Sequence, residues 1–267
     1  MNEARENRMT KALVTGGAKR LGRAMALHLA GRGFDVAIHY AGSEEAAEEL
    51  AAEIRAMGRK AVPLQADLLE LEAVEALVPR AVEGLDGPLT VLVNNASLFE
   101  YDRIGKVTGQ GWARNIDSNL RAPVLLTQAF AAQCPDPVSD ERGEPVARGL
   151  VVNMLDQRVR KLTPEFTSYT IAKMGLWAFT QTAAMGLAPR IRVNAIGPGP
   201  TLQAAGQSDE SYAQQRANTI LSRGSNPSDI TGALGYFLDA PGVTGQLLCT
   251  DGGQHLAWKT PDITGFD

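Results

Sequence analysis

The sequence predicts one doubly wound α/β domain, a parallel sheet of about seven strands with helices on both faces. Three observations point there. Short apolar runs alternate with longer segments of helical period, rich in Ala and Leu, which is the pattern of strand and crossover helix. The first apolar run passes directly into a glycine-rich turn, Thr15 to Gly22, that opens a helix. The chain has 267 residues, of which 44% are hydrophobic and 21% charged, close to soluble globular proteins and sufficient for one sizeable core.

In order, strands are expected near Ala12–Thr15, Asp35–Tyr40, Ala61–Gln65, Thr90–Asn94, Leu150–Asn153, Arg192–Ile196 and Gln246–Thr250. The segments Arg20–Arg32, Ser43–Met57, Leu71–Glu83, Trp112–Gln133 and Tyr169–Leu187 repeat their apolar residues at helical spacing, and each is long enough for a crossover. Two stretches break the rhythm. Cys134–Gly149, rich in Pro, Gly and charge, is expected as a surface excursion. Pro198–Ser211 follows a strand end, where open α/β sheets place their ligands, and is expected as a mobile substrate lid. Residues 1–10 are expected as a flexible tail, with no repeat or domain boundary after them.

The net charge of -4 and the lack of a Lys/Arg stripe argue against nucleic acid. Cys134 and Cys249 lie far apart, with no metal-ligand spacing, so buried free thiols are expected and no metal site. The polar start of the chain is neither a signal peptide nor a membrane anchor, which leaves the cytoplasm.

In the turn Thr15-Gly16-Gly17-Ala18-Lys19-Arg20-Leu21-Gly22, glycines let the backbone approach a pyrophosphate while the helix N-terminus offers free N–H groups. An NAD-binding chain would carry an acid at the end of the second strand for the ribose hydroxyls, but here the residues are Ile38-His39-Tyr40-Ala41-Gly42-Ser43. Asp35 cannot substitute, because it opens that strand. Lys19 and Ser43 are placed to hold a 2′-phosphate instead, so NADPH is the expected cofactor, with NADH less suited. Ser43 also suits the N-cap of the next helix.

Tyr169 and Lys173, in Tyr-Thr-Ile-Ala-Lys, share one face of a helix. A phenol with a pKa near 10 is a poor acid–base group at neutral pH, and a nearby ammonium favours its phenolate. The pair is a candidate proton donor.

Together with Asn94-Asn95-Ala96, Asn119 and Pro198-Gly199, these motifs make the chain resemble the short-chain dehydrogenase/reductase family, a Rossmann-type fold, over Lys11 to Gly253. The resemblance implies that Asn119 holds a relay water, that Tyr169 is the acid and that Lys173 anchors the ribose. It places Gly16, Leu21, Gly22, Asn95, Ala96, Pro198 and Gly199 along the cofactor, with Asp67 and Leu68 at the adenine. It also implies a homotetramer. Asp251-Gly252-Gly253 is similar to the family's closing turn.

Three departures narrow the resemblance. Arg20 replaces the middle glycine of the turn, Asn95-Ala96-Ser97-Leu98-Phe99 follows the fourth strand, and Asp156 stands thirteen residues before Tyr169, where the family usually has serine. A serine hydroxyl donates to a carbonyl oxygen, whereas an ionised aspartate only accepts, so Asp156 suits protonation of a ring nitrogen better than simple ketone reduction. This set resembles the pteridine reductase branch. By that resemblance Phe99 stacks on the substrate ring, Ser97 and Arg20 bond the ring and the cofactor phosphates, and Tyr40 and Ser43 contact the cofactor. Ala41 and Gly42 depart from the His-Arg pair that usually helps there. The expected activity is NADPH-dependent reduction of dihydropterins or dihydrofolate. Alternatives are reduction of another small carbonyl or imine and, in a different class, a non-catalytic dinucleotide sensor, against which the intact Asn119, Tyr169 and Lys173 argue.

Overall fold

A computed structural model describes residues 10–204 and 206–258. Its main sheet has seven parallel strands: β1 (Lys11–Val14), β2 (Asp35–Tyr40), β3 (Ala61–Gln65), β4 (Val91–Asn94), β7 (Gly149–Met154), β8 (Ile191–Pro198) and β9 (Leu247–Thr250), in spatial order β3-β2-β1-β4-β7-β8-β9. The order reverses between β1 and β4, so the crossovers leaving these strands diverge and open a crevice at their carboxyl ends. Two further short strands, β5 (Val138–Ser139) and β6 (Pro145–Val146), make an antiparallel hairpin inside the expected surface excursion.

Residues alternate between two core layers along the strands, as the pleat requires. Ala12 and Val14 face helices α1 (Arg20–Gly31), α2 (Glu44–Ala56) and α8 (Pro227–Asp239). Leu13 faces α3 (Leu71–Gly84), α5 (Ala122–Gln133) and α6 (Thr167–Leu187). On α1 the buried Gly22, Met25, Ala26, Leu29 and Ala30 form the stripe that helical period demands.

Several expected boundaries move. Strand β1 stops at Val14 because Thr15 uses its Oγ1 to accept the backbone N–H groups of Asn95 and Ala96, at 2.8 and 3.0 Å, while β8 runs on to Pro198, paired with Thr250. The helix expected over Trp112–Gln133 is three pieces: α4 (Gly109–Ile116), capped by Thr108, a π-turn over Asp117–Arg121, and α5. Helix α7 (Asp209–Ala217) begins inside the expected lid, its N-cap supplied by Ser208, and α8 was not among the expected helices. Of the expected tail, all but Thr10 lies outside the described residues, as does Ala205 of the expected lid. Both cysteines are free, but only Cys134 is fully buried; Cys249 is half-buried. Among the described residues no helix is long and apolar enough to cross a membrane.

One buried side chain links the sheet to the crevice. His39 on β2 accepts the Gly16 N–H at Nδ1 (2.9 Å) and, as the neutral tautomer this requires, donates from Nε2 to the Ala66 carbonyl (3.0 Å). Burial drives its pKa down to about 4 from 6.5. Between those values the unfolded chain binds a proton that the folded chain refuses, so stability falls as pH drops from about 6.5 to 4. This gap is worth about 3 kcal/mol. Urea midpoints of wild type and His39→Asn, compared from pH 7 to pH 4, should converge as wild type loses its extra stability; parallel curves would show that His39 does not titrate in this way.

Candidate active site

The turn after β1 is shaped by close backbone approach. Gly16 has φ +58°, and a Cβ there would meet Ala96 Cα at 3.0 Å; a Cβ on Gly22 would meet the Gly16 carbonyl oxygen at 2.0 Å. Asn95 holds the turn by donating Nδ2–H to the carbonyls of Thr15 (2.9 Å) and Gly16 (3.1 Å). The first N–H groups of α1 have no side-chain cap. They face a cavity of about 360 Å³ whose walls include Gly16, Lys19 to Gly22, Tyr40, Ser43 and Asn95 to Ser97. Uncapped donors beside a glycine cradle suit a pyrophosphate. The residues present fit a dinucleotide.

At the far end of this groove Ser43 occupies the N-cap position of α2, but its side chain makes no capping bond. Lys19 lies near it, though Glu44, Glu45 and Glu49 line an adjoining depression and dilute the local positive charge. Asp35 sits at the opposite end of β2, accepting the Lys60 N–H at 2.9 Å. Of the two residues expected at the adenine, Asp67 is exposed after β3 and accepts the Leu69 N–H at 3.0 Å, and the Leu68 side chain is buried in the core under α3.

Arg20 lines the phosphate groove at the start of α1. It adopts φ +52°, the left-handed conformation of the glycine it replaces, and its Nη2 donates to the carbonyls of Leu202 (3.3 Å) and Gln203 (3.0 Å). The guanidinium thus ties the expected lid to the phosphate turn. The same stretch is fastened again by Arg216 to the Pro200 carbonyl and by Tyr212 to that of Thr201, both at 2.8 Å. At its root a Cβ on Gly199 would collide with Asp251.

Beside the groove, the end of β7 and the start of α6 bring the proposed proton-transfer groups together. The Tyr169 hydroxyl donates to Asp156 Oδ2 at 3.2 Å. The other carboxylate oxygen of Asp156 accepts the Arg158 N–H at 2.8 Å, capping a short 3₁₀ turn. One helical turn beyond Tyr169, Lys173 donates to the Met154 carbonyl at 2.8 Å, with its Nζ 5.5 Å from the Tyr169 ring centroid. Asn119, carried on the π-turn, accepts from the Ser97 hydroxyl at 2.6 Å and donates to the Leu98 carbonyl at 3.0 Å. A π-turn re-aims the side chains it carries, and such turns recur at functional sites.

Burial decides the electrostatics. Tyr169 and Lys173 are 6% and 2% exposed. Desolvation, reinforced by the Asp156 carboxylate, pushes the Tyr169 phenol well above 10. The expected effect of Lys173, favouring the phenolate, is outweighed: the neighbour that touches the phenol is an acid, not the ammonium. Desolvation also raises Asp156 above the usual carboxylate range, against Arg158 and Tyr169, and lowers Lys173 to about 8. At neutral pH the cluster therefore holds a protonated phenol beside a carboxyl group that takes up a proton readily.

A second cavity, of about 230 Å³, opens over this cluster, with Arg20, Phe99, Asp156, Tyr169, Gly199 and Leu202 on its walls. Phe99 meets the Tyr169 ring edge-on at 4.8 Å, but one of its faces is already taken by Phe166, stacked at 4.1 Å and 8°. A flat ligand therefore has only the other face of Phe99 to stack on. Sequence reasoning missed Phe166, Gln157 and Arg158. Their place follows from the path between β7 and α6, which no spacing rule shows. Among the described residues no group of three or more His, Cys, Asp or Glu is arranged to hold a metal.

The comparisons with known proteins agree with this layout. The short chain dehydrogenase family model matches residues 10–214. A 3-oxoacyl-(acyl-carrier-protein) reductase, FabG, of Staphylococcus aureus is 32% identical over 255 residues, covering 93% of this chain and 100% of its own. The crystal structure of FolM alternative dihydrofolate reductase 1 from Brucella canis, complexed with NADP, superposes with a TM-score of 0.88 at 43% identity, over 96% of this chain and 97% of that one. A short chain dehydrogenase from Burkholderia cenocepacia in complex with NADP is 29% identical over 92% of this chain and 98% of its own, with a TM-score of 0.82.

Proposed function

The chain belongs to the short-chain dehydrogenase/reductase family, and from that premise we propose that it is an NADPH-dependent reductase of dihydropterins or dihydrofolate. One observation carries this reading. Asp156 stands where the family usually places serine and touches the Tyr169 hydroxyl at 3.2 Å. The similarity to the Brucella FolM structure supports it.

NADPH, when bound, supplies the hydride. The backbone from Gly16 to Gly22 and Asn95-Ala96 would line its phosphates, Lys19, Tyr40 and Ser43 its 2′-phosphate end, and Pro198 and Gly199 its nicotinamide end. Lys173 would hold the ribose. Tyr169 gives its phenolic proton to a ring nitrogen of the substrate as the neighbouring carbon takes the hydride, and Asp156 restores or shares that proton. Asn119 and Ser97 give this exchange a hydrogen-bonded route into the protein. Phe99 would offer its free face to the flat substrate, with Pro198, Gly199, Pro200 and Leu202 on the walls of the same cavity.

The competing reading, a reductase of another small carbonyl or imine, draws on the named relatives, since FabG is a 3-oxoacyl reductase. Asp156 favours the pterin reading over it, because a carboxyl group that takes up and releases a proton suits a ring nitrogen, which must gain one, whereas the family's serine already suits a carbonyl oxygen. A sensor without catalysis would have no use for Tyr169 and Lys173 buried together. The proposed homotetramer rests on family analogy, and sedimentation of the purified chain tests it.

NADPH oxidation should be measured with dihydrobiopterin, dihydromonapterin and dihydrofolate beside a panel of ketones. Turnover confined to ketones would reject the pterin reading. In the same assay kcat/KM should favour NADPH over NADH by about tenfold or more, since a 2′-phosphate gains charge-assisted bonds that NADH lacks. Equal values would remove Lys19 and Ser43 from that role.

A further inference from the structure

The cavity over Tyr169 has a charge that the proton-transfer chemistry does not use. Two guanidiniums, Arg20 and Arg158, stand on its walls against a single carboxyl group, Asp156, whose burial favours the neutral form. In a chain with a net charge of -4, this is a local reversal of sign. Arg20 is committed to the Leu202 and Gln203 carbonyls and borders the phosphate groove. Arg158 is not committed in this way. Its hydrogen-bond and ring partners among the described residues are neutral, the guanidinium lying 4.9 Å over the Phe166 ring and Nη1 donating to Thr163 Oγ1 at 2.5 Å, while its charge also acts on Asp156. It is half-buried, so its charge is only partly screened.

Its position follows from the chain path. Asp156 caps the 3₁₀ turn that carries Arg158, so the residue that faces the reacting centre also sets where the guanidinium begins. Phe166 then holds the guanidinium by its face, while its stacking on Phe99 joins that platform to the surface offered to a flat ring. Beside it Gln157, 7% exposed, has a buried amide oxygen with no hydrogen-bond partner, an acceptor that would meet an N–H of a ligand and not its anionic group.

We infer that Arg158 recognises an anionic substituent, a carboxylate above all, carried by the substrate away from the ring that is reduced. This rests on the pterin and folate reading and deepens it: of the two substrate classes, the one with a carboxylate-bearing tail is the one this cavity is built to select. A guanidinium forks onto a carboxylate through two parallel N–H donors, and a half-buried site strengthens the pair. Arg158 is therefore a specificity residue. It leaves the proton transfer to Asp156 and Tyr169.

The test compares dihydrofolate, which carries glutamate carboxylates, with dihydrobiopterin, which carries none, using the full chain and NADPH. Because the Arg158 charge also reaches Asp156 and Tyr169, the quantity to read is the ratio of the two kcat/KM values, in which a shared effect on the chemistry cancels. Arg158→Gln should lower the ratio of dihydrofolate to dihydrobiopterin by about tenfold to a hundredfold, the range for a charge-assisted hydrogen bond, with the change in KM. Arg158→Lys keeps the charge without the fork and should fall between, and it serves if the glutamine variant does not fold. An unchanged ratio, with both substrates affected alike, overturns the inference and leaves the pterin reading standing. So does a wild type that reduces dihydrobiopterin and refuses dihydrofolate. A wild type that reduces neither of these nor dihydromonapterin removes both.

Discussion

Tyr169→Phe should lose most turnover, by roughly 10²- to 10⁴-fold, the range for removing a general acid, while NADPH affinity stays close to wild type. Among the described residues the phenol is the only hydroxyl that bonds to Asp156, and phenylalanine fills the same buried volume against Phe99, so the loss falls on the proton and not on packing. Its elevated pKa fixes the direction of the effect: across the neutral range Tyr169 is the protonated partner, suited to give a proton in reduction. Lys173→Ala should damage both turnover and cofactor binding, because it removes the cation proposed to hold the ribose and leaves the Met154 carbonyl without its donor. Single-turnover rates and NADPH titrations separate these outcomes. Wild-type turnover in Tyr169→Phe, in a reaction limited by chemistry, would show that the acid lies elsewhere.

What could be read in the sequence and what could not divides along physical lines. Strand positions were legible because a strand buried on both faces needs an unbroken apolar run, as in Leu150 to Val152. The phosphate turn was legible because only glycine tolerates a backbone atom where its Cβ would be, as at Gly22. Helix α8 carries its own signal in the sequence: Asn226 and Asp229 make a capping box, with Pro227 at the first helical position, ahead of Ile230, Ala233, Leu234 and Phe237 at helical spacing. By contrast α7 buries none of its residues and has no apolar stripe to read. The π-turn at Asn119 leaves no mark in a pattern of nearly uniform helical character. The contacts of Arg20, Phe99 and Arg158 are tertiary. Arg20 sits at the turn, but its bond to the 202–203 carbonyls spans some 180 residues, and neither partner is distinguished by type.

The position of Phe99 shows how the two kinds of knowledge combine. Sequence resemblance marks it as a stacking surface, and the structure gives the chemical limit on that surface, one face rather than two. On the proposed function a planar substrate would lie against the free face of Phe99, with its ring edge toward Asp156 and Tyr169, whose oxygens meet at 3.2 Å. In that proposal the identity of residue 156 has consequences out of proportion to its size.

Asp156→Ser should restore the hydroxyl usual in the family and still lose dihydropterin turnover, by roughly 10²- to 10⁴-fold if Asp156 moves the proton directly. Asp156 has two functions in the structure, one on each oxygen: Oδ1 caps the turn at Arg158, and Oδ2 receives the Tyr169 hydroxyl. Substitution to Asn separates them. An asparagine carbonyl still accepts the Arg158 N–H, so the turn and its stability survive, but the amide neither binds nor releases a proton near neutral pH. If Asp156 matters only as a cap, Asp156→Asn is nearly silent. If it exchanges a proton with Tyr169, Asp156→Asn falls with Asp156→Ser, and its thermal midpoint stays near wild type. The pH dependence adds an independent reading. Burial raises the Asp156 pKa, so its protonated form persists to higher pH than an ordinary carboxylic acid allows. The wild-type rate should decline as pH rises through that raised value, and the decline should vanish from the residual activity of Asp156→Asn. Steady-state rates of both variants with a dihydropterin, taken across pH beside NADPH titrations, decide between these roles; near-normal turnover in both would exclude Asp156 from the mechanism and leave Tyr169 as the only proton donor at the site.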